Sequence, residues 1–268
     1  MPFTFAHPAV IFPFYKRWRI FNSLSALTIG SMAPDMSYFL PFHISRHATH
    51  SPGALLWFCL PVGLAVYIVF HVFLKRPIWF LLPSSLRIPL QDVALRNRTW
   101  HLKEILHISI AILVGAITHI GWDLFTHRSI VTGTYLPLLN EPVFSMFGRP
   151  FRVHNILQHV STVFGFFVIG FVAKQYLSSR ISTGNEPLKW ANSLRRRLRQ
   201  GLLFVSGGTG VFFGLGALAH PSAFRSFTYF VRYFVISGIN AAIVCLLLMG
   251  ITWLLLQRFA GNDKWHTS

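Results

Sequence analysis

Long apolar runs separated by polar, often basic, connections organise this chain. Each run has close to the ~20 residues that an α-helix needs to cross the hydrocarbon core of a bilayer. The runs cover residues 54–74, 105–122, 160–177, 201–219 and 233–256. The pattern predicts an all-α integral membrane protein with about five transmembrane helices, forming a single membrane domain over residues 1–268.

The segment before the first run, residues 1–53, has a mixed pattern. Its apolar clusters are interrupted by basic residues, by Asp35 and by several histidines. A secretory signal has a short charged start followed by an unbroken apolar run, and this segment has neither. We therefore expect short surface or re-entrant helices at the membrane interface, with turns where a proline follows His7 and where Pro34 precedes Asp35.

The amino-acid composition is typical of a membrane protein and indicates which binding partners to expect. The chain is 53% hydrophobic and 12% charged, which is about half the charged fraction of soluble domains. Its formal net charge is +17, but the basic residues lie mostly between the apolar runs. There they contact anionic lipid headgroups, so we expect the bilayer as partner and no nucleic acid. Cys59 and Cys245 lie inside apolar runs, which argues against a disulfide framework or a thiolate metal site.

Basic residues are densest in the connections 75–104 and 178–200. The positive-inside rule places these connections in the cytoplasm and the N-terminus outside. The start of the first run, the end of the second and the start of the third then share the outer face of the membrane. We expect any site built from these three ends to lie on that face.

His119 and Asp123 lie at the end of the second run and are four residues apart. On a helix this spacing puts both side chains on one face. An imidazole and a carboxylate so placed can ligate one divalent cation, such as zinc or another transition metal. The alternative is that the two side chains form a hydrogen bond to each other where the helix meets water.

The predicted topology adds further ionisable groups to this face. Most of the thirteen histidines fall there, and ionisable groups at membrane depth are costly unless they are paired or bound to metal. The cluster is therefore typical of a functional site, although interfacial histidines that only hydrogen-bond to backbone would give the same pattern. The candidates besides the pair in the second run are His7, Asp35, His47, His50, His127 and His159.

Four short stretches resemble an uncharacterised bacterial membrane-protein family of unknown function. They are MPFTFAHPA at the start of the chain, GSMAPD at residues 30–35, HATHS at 47–51 and QHVST at 158–162. More distantly, the order of motifs is similar to that of predicted membrane-bound metal-dependent hydrolases. That resemblance implies a protein of the bacterial cytoplasmic (inner) membrane with metal ligands at His7, Asp35, His50, His119 and Asp123.

The chain also departs from the hydrolase pattern. Ser37 stands where the hydrolases have a second aspartate, and residues 47–51 look like a shortened His-Arg-Gly-x-Thr-His-Ser motif without its arginine and glycine. The loss of a carboxylate would reduce the number of metal ions or abolish catalysis.

Two hypotheses of function follow. The first is a metal-dependent hydrolase in which a divalent ion, zinc above all, activates water. Asp35 would be a ligand or the general base, and His159 a further ligand or a contact to the leaving group. The apolar setting and the aromatic connection 134–151 favour a lipid or lipid-linked phosphoester. The second hypothesis is a non-catalytic scaffold or small permease with a structural His/Asp cluster.

Overall fold

The computed structural model describes residues 4–12, 23–40, 44–96, 101–129, 131–146, 149–180, 189–219 and 223–259. Within these ranges the chain forms ten α-helices and one antiparallel hairpin. The helices are α1 (Leu24–Gly30), α2 (Arg46–Thr49), α3 (Leu60–Val69), α4 (Lys75–Leu81), α5 (Ser84–Arg87), α6 (Gln91–Leu95), α7 (Leu102–Thr126), α8 (Val153–Ser178), α9 (Lys189–Gly216) and α10 (Ala223–Phe259). The strands are β1 (Pro142–Met146) and β2 (Arg149–Arg152).

Short segments of other helix types link these elements. The 3₁₀ segments are Thr4–Val10, Ala33–Phe39, Pro137–Asn140 and Ala217–Ala219, and the π-helical segments are Leu55–Cys59, Phe70–Leu74 and Val131–Tyr135. The described parts of the N-terminal segment are thus built from short helices, as its interrupted apolar pattern predicts.

Four helical segments are long and apolar enough to cross a membrane among the residues that the structure describes. They are Leu55–Leu81, Leu102–Tyr135, Val153–Ser178 and Tyr229–Phe259. The prediction of an all-α membrane protein is therefore confirmed. The predicted run 201–219 lies in α9 and the 3₁₀ segment after it, which is not one of these four, so the count of five spans stays a prediction.

The described residues divide into two compact units. One unit contains residues 1–68 and 99–179, and the other contains residues 69–98 and 180–268. In the second unit α9 packs closely on α10, because a Cβ atom on Gly210 would lie only 2.7 Å from the carbonyl oxygen of Phe234. All the candidate site residues named above belong to the first unit.

Helices α1 and α7 cross in direct backbone contact in the first unit. A Cβ atom on Gly30 would overlap the backbone of Ile112, and a Cβ atom on Gly115 would overlap the carbonyl of Leu27. Only glycine permits so close an approach at both positions. The contact brings the end of α1 against α7 one turn before His119.

The 3₁₀ segment Thr4–Val10 packs against α8. A Cβ atom on Gly165 would lie 3.0 Å from the carbonyl oxygen of Ala6. This close approach fixes the position of the next residue, His7, which is buried. A glycine in the middle of α8 therefore helps to place a side chain that belongs to the N-terminal segment of the sequence.

Candidate metal centre

A column of polar side chains runs along one face of α7 at its C-terminal end. The Nε2 atom of His119 lies 3.4 Å from Oδ2 of Asp123. One turn later, Nδ1 of His127 lies 3.3 Å from Oδ1 of the same carboxylate. His119 and Asp123 are only 1% and 5% exposed. The four-residue spacing thus places imidazole and carboxylate together, away from solvent.

Three other segments bring side chains to this column. His7 stacks its ring on that of His119, with 3.8 Å between centroids. His50, at the C-terminal cap of α2, has its Nε2 atom 3.2 Å from Oδ2 of Asp123 and 3.5 Å from Oδ1 of Asp35. Asp35 comes from the 3₁₀ segment Ala33–Phe39 and is 4% exposed. We call His7, Asp35, His50, His119 and Asp123 the His/Asp cluster.

Backbone carbonyls orient two of the imidazole rings. Nδ1 of His119 lies 2.7 Å from the carbonyl oxygen of Ser31, and Nδ1 of His50 lies 3.0 Å from that of Arg46. A carbonyl oxygen only accepts, so each Nδ1 carries the hydrogen and donates it. In the neutral rings Nε2 then keeps a lone pair, and this atom faces the carboxylates.

The Nε2 atoms of His7, His50 and His119 are the strongest sign of a ligand. All three are buried, and none has a hydrogen-bond partner among the described residues. A bare imidazole nitrogen beside a carboxylate oxygen is unfavourable, because both atoms present lone pairs. A metal cation or a proton between the two atoms removes the conflict. A carbonyl on the other ring nitrogen, which His50 and His119 have, is the usual second contact of a ligating histidine.

The ligand atoms form two overlapping triads. One is His7, His119 and Asp123, the other is Asp35, His50 and His119, and the ligand atoms in each triad lie within 4.8 Å of one another. Because both triads contain His119, whose Nε2 has a single lone pair, that residue can serve only one ion. The mixture of imidazole and carboxylate suits zinc and its neighbours in the transition series.

Burial sets the charge of His7. Desolvation, with the adjacent His119 imidazole as the next cause, lowers the pKa of His7 from 6.5 to about 3. The ring is therefore neutral at physiological pH. Neutral imidazole is the form that binds metal, so no proton has to be displaced from this side chain.

The hydroxyl of Thr4 supports Asp35. It donates a 2.7 Å hydrogen bond to Oδ2 of that carboxylate, and both residues are buried. Thr4 was not among the residues predicted from the sequence. It lies three residues before His7, so a single short segment supplies both a candidate ligand and a support for another.

Arg46 is the main residue that the sequence analysis missed. Its guanidinium donates to Oδ2 of Asp123, and its main-chain carbonyl accepts from His50. A signal was available in the spacing, because Arg46 lies four residues before His50, about one helical turn away.

The structure does not bring His159 into the cluster. Its ring is exposed and stacks on that of Phe151, with 5.7 Å between centroids. The buried polar side chains of this part of α8 are His154 and Gln158. His159 directly follows Gln158, and successive residues of a helix point in different directions, so its side chain faces outward. The roles expected for His159 as ligand or leaving-group contact are therefore corrected to a surface stacking position. His47 is likewise exposed.

Comparison with known families gives one match. The profile of a family described as "Domain of unknown function (DUF4184)" matches residues 1–252. No curated protein and no solved structure matches the chain. The match covers every residue of the His/Asp cluster.

Proposed function

Because the chain belongs to the DUF4184 family, whose function is unknown, we propose an activity from the site itself, that of a membrane-embedded metal-dependent hydrolase. The observation that carries the proposal is the set of three buried Nε2 atoms that face two carboxylates. Side chains in this arrangement are costly at membrane depth without a bound cation.

His7, His50, His119 and Asp123 would hold the ion, which we propose to be zinc. When bound, such an ion supplies Lewis acidity and lowers the pKa of a coordinated water. The chain's own contribution is to orient the rings of His119 and His50 through the carbonyls of Ser31 and Arg46. It also limits access of bulk water, since four of the five side chains are buried and that of His50 is 10% exposed.

Asp35 is the residue that we propose as general base. Its Oδ2 accepts from the Thr4 hydroxyl, and its Oδ1 lies 3.5 Å from Nε2 of His50. A carboxylate fixed in this way beside the proposed ligands can take a proton from an attacking water. The same position also suits a ligand to a second ion, and metal stoichiometry distinguishes the two roles.

The surroundings of the cluster support a lipid or lipid-linked phosphoester as substrate. The cluster lies at the end of α7, a helix apolar enough to cross a membrane. The connection from α7 to α8 exposes Tyr135, Leu138 and Phe144, side chains that suit contact with lipid. With the distribution of basic residues, the proposal places the cluster on the outer face of the bacterial cytoplasmic membrane.

A scaffold with a structural His/Asp cluster is the competing function. One contact favours it, because Arg46 already donates to Asp123 and offsets part of its charge. A scaffold would use this ion pair and hydrogen bonds in place of an ion. Metal content separates the two functions.

The test is elemental analysis of the purified wild type in detergent beside His119→Ala and Asp123→Asn, with His159→Ala as the matched histidine control. We expect about one or two zinc or manganese ions in the wild type and in the control, and loss of metal from the two cluster variants. A folded wild-type protein without bound metal would overturn the proposed hydrolase function and favour the scaffold function. If metal is present, a screen of lipid phosphoesters tests for turnover.

A further inference from the structure

Arg46 forms an ion pair with Asp123 of the His/Asp cluster. Among the described residues, no other arginine or lysine pairs with a carboxylate of this cluster. Its guanidinium donates to Oδ2 of Asp123, the oxygen that also lies 3.2 Å from Nε2 of His50. Arg46 thus contacts a proposed ligand atom without being a ligand itself, because a guanidinium remains protonated.

The side chain of Arg46 reaches the cluster from the surface. It is 35% exposed, whereas the carboxylate that it contacts is 5% exposed. A guanidinium has five N–H donors in a planar fork, and Asp123 is the only acceptor that the described part of the chain provides for it. Arg46 is therefore a donor with spare capacity at the open side of an otherwise buried site.

The charges of the site favour an anion. Asp35 and Asp123 carry two negative charges, the imidazoles are neutral when they ligate, and Arg46 carries one positive charge. A divalent ion would offset the two carboxylates. The charge of Arg46 then remains without compensation, so the loaded site has a net charge of about +1.

We propose that Arg46 binds the phosphoryl group of the substrate. In the loaded protein Asp123 is a metal ligand, and the guanidinium donates to non-bridging phosphoryl oxygens, whose spacing matches its planar fork. This inference rests on the proposed function and names the feature of the substrate that is recognised. A neutral ester or amide has no anionic oxygen for Arg46 and is excluded as substrate.

The test measures binding of inorganic phosphate to the zinc-loaded full-length protein in detergent by titration calorimetry. The variants are Arg46→Gln and Arg46→Lys, and the matched control is Arg128→Gln, which removes an exposed positive charge just beyond the end of α7. Zinc content and folding are measured for each protein. We expect all of them to keep zinc, because neither arginine is a ligand.

Phosphate affinity distinguishes the variants. We expect Arg46→Gln to bind phosphate about 10- to 100-fold more weakly than the wild type, as for loss of a charged hydrogen bond. Arg46→Lys should lie between them, because lysine keeps the charge without the planar fork. Arg128→Gln should bind as the wild type does.

Several outcomes would overturn the inference. Wild-type phosphate affinity in zinc-loaded Arg46→Gln would exclude Arg46 from phosphate binding while leaving the metal site in place, as would a zinc-loaded wild type that binds no phosphate. Loss of zinc from both Arg46 variants would instead assign the residue to holding Asp123. A wild type without metal would remove the proposed function, and this inference with it.

A competition arm identifies the source of the phosphoryl group. Glycerol 3-phosphate in water and phosphatidate in mixed micelles are each titrated against bound inorganic phosphate. Displacement by phosphatidate alone supports a lipid phosphoester, and displacement by both supports recognition of the phosphate in either setting. Displacement by neither would overturn the assignment of Arg46 to a phosphate ester.

Discussion

His119 donates from Nδ1 to the carbonyl oxygen of Ser31 across 2.7 Å. This bond fixes the ring so that Nε2 faces Asp123. Ser31 directly follows Gly30, whose Cα lies against the backbone of α7. The packing of α1 on α7 and the orientation of a proposed metal ligand therefore depend on one local contact.

Gly115→Ala should separate α1 from α7, since the added methyl group would overlap the carbonyl of Leu27. We expect the free energy of unfolding to fall by about 1–3 kcal/mol, as in other overpacked cores, and metal content to fall as Ser31 moves away from His119. Gly121→Ala is the control on the same helix, where a Cβ would meet no atom within 4 Å. Unfolding in detergent measures the stability of the two variants, and elemental analysis measures their metal content. Equal stabilities would contradict the backbone contact.

Gly165→Val should act on the metal centre through His7. The larger side chain would push the segment Thr4–Val10 away from α8, because even a Cβ would lie 3.0 Å from the carbonyl oxygen of Ala6. We expect a loss of zinc affinity similar to that of His7→Ala, about tenfold or more. The two changes together should cost no more than either alone, since they remove the same contact.

The control for this pair is Gly170→Val, on the same helix at a position where a Cβ would meet no atom within 4 Å. Zinc affinity is measured by competition with a chelator of known affinity. Additive losses in the double variant would mean that Gly165 does not act through His7.

Thr4→Val should destabilise the protein because it leaves Oδ2 of Asp35 without its 2.7 Å donor. The loss of a hydrogen bond to a buried charged group is worth about 1.5–3 kcal/mol. Thr4→Ser keeps a hydroxyl and is expected to retain most of the stability. Thermal unfolding of the three proteins in detergent tests this, and a Thr4→Val protein as stable as the wild type would exclude a supporting role.

The metal-free protein should lose stability as the pH falls from about 6.5. Burial lowers the pKa of His7 in the folded state from 6.5 to about 3, so between these values the unfolded chain binds a proton that the folded chain does not. Stability contributed by neutral His7 is thus present above pH 6.5 and is lost on acidification by at most ~1.4 kcal/mol per pH unit.

His7→Asn is the comparison for this pH effect, because it keeps a polar side chain that does not titrate. Unfolding midpoints from pH 7.5 to 4.5, with chelator present, should fall less steeply for the variant than for the wild type. Parallel curves would show that His7 does not remain neutral in the folded protein.

Local periodicity predicted the part of the site that lies within one helix. His119 and Asp123 face each other because a four-residue spacing has the same consequence in any α-helix. The apolar runs also located the helices, although α7 and α8 begin at Leu102 and Val153, ahead of the runs. Polar residues at those ends, such as Lys103 and His154, continue the helix although the apolar count excludes them.

Residue spacing within one helix does not predict contacts between segments that are distant in the sequence. Arg46 meets Asp123 across 77 positions, which depends on where α2 packs. The prediction for His159 was wrong for a different reason. An apolar run with little amphipathic character does not indicate which side of the helix faces the protein. Its neighbour Gln158 is the buried residue.

The spread of the His/Asp cluster along the chain has a consequence for biosynthesis. His7 leaves the ribosome early, whereas His119 and Asp123 follow only after the first apolar run has been made, and α8, against which the His7 segment packs, comes later still. Until α7 is inserted, the N-terminal histidine has no partners, and a nascent chain that ends before α7 has no centre to load. If the cluster binds a metal as proposed, the ion would be acquired late, after the third long helix has been synthesised.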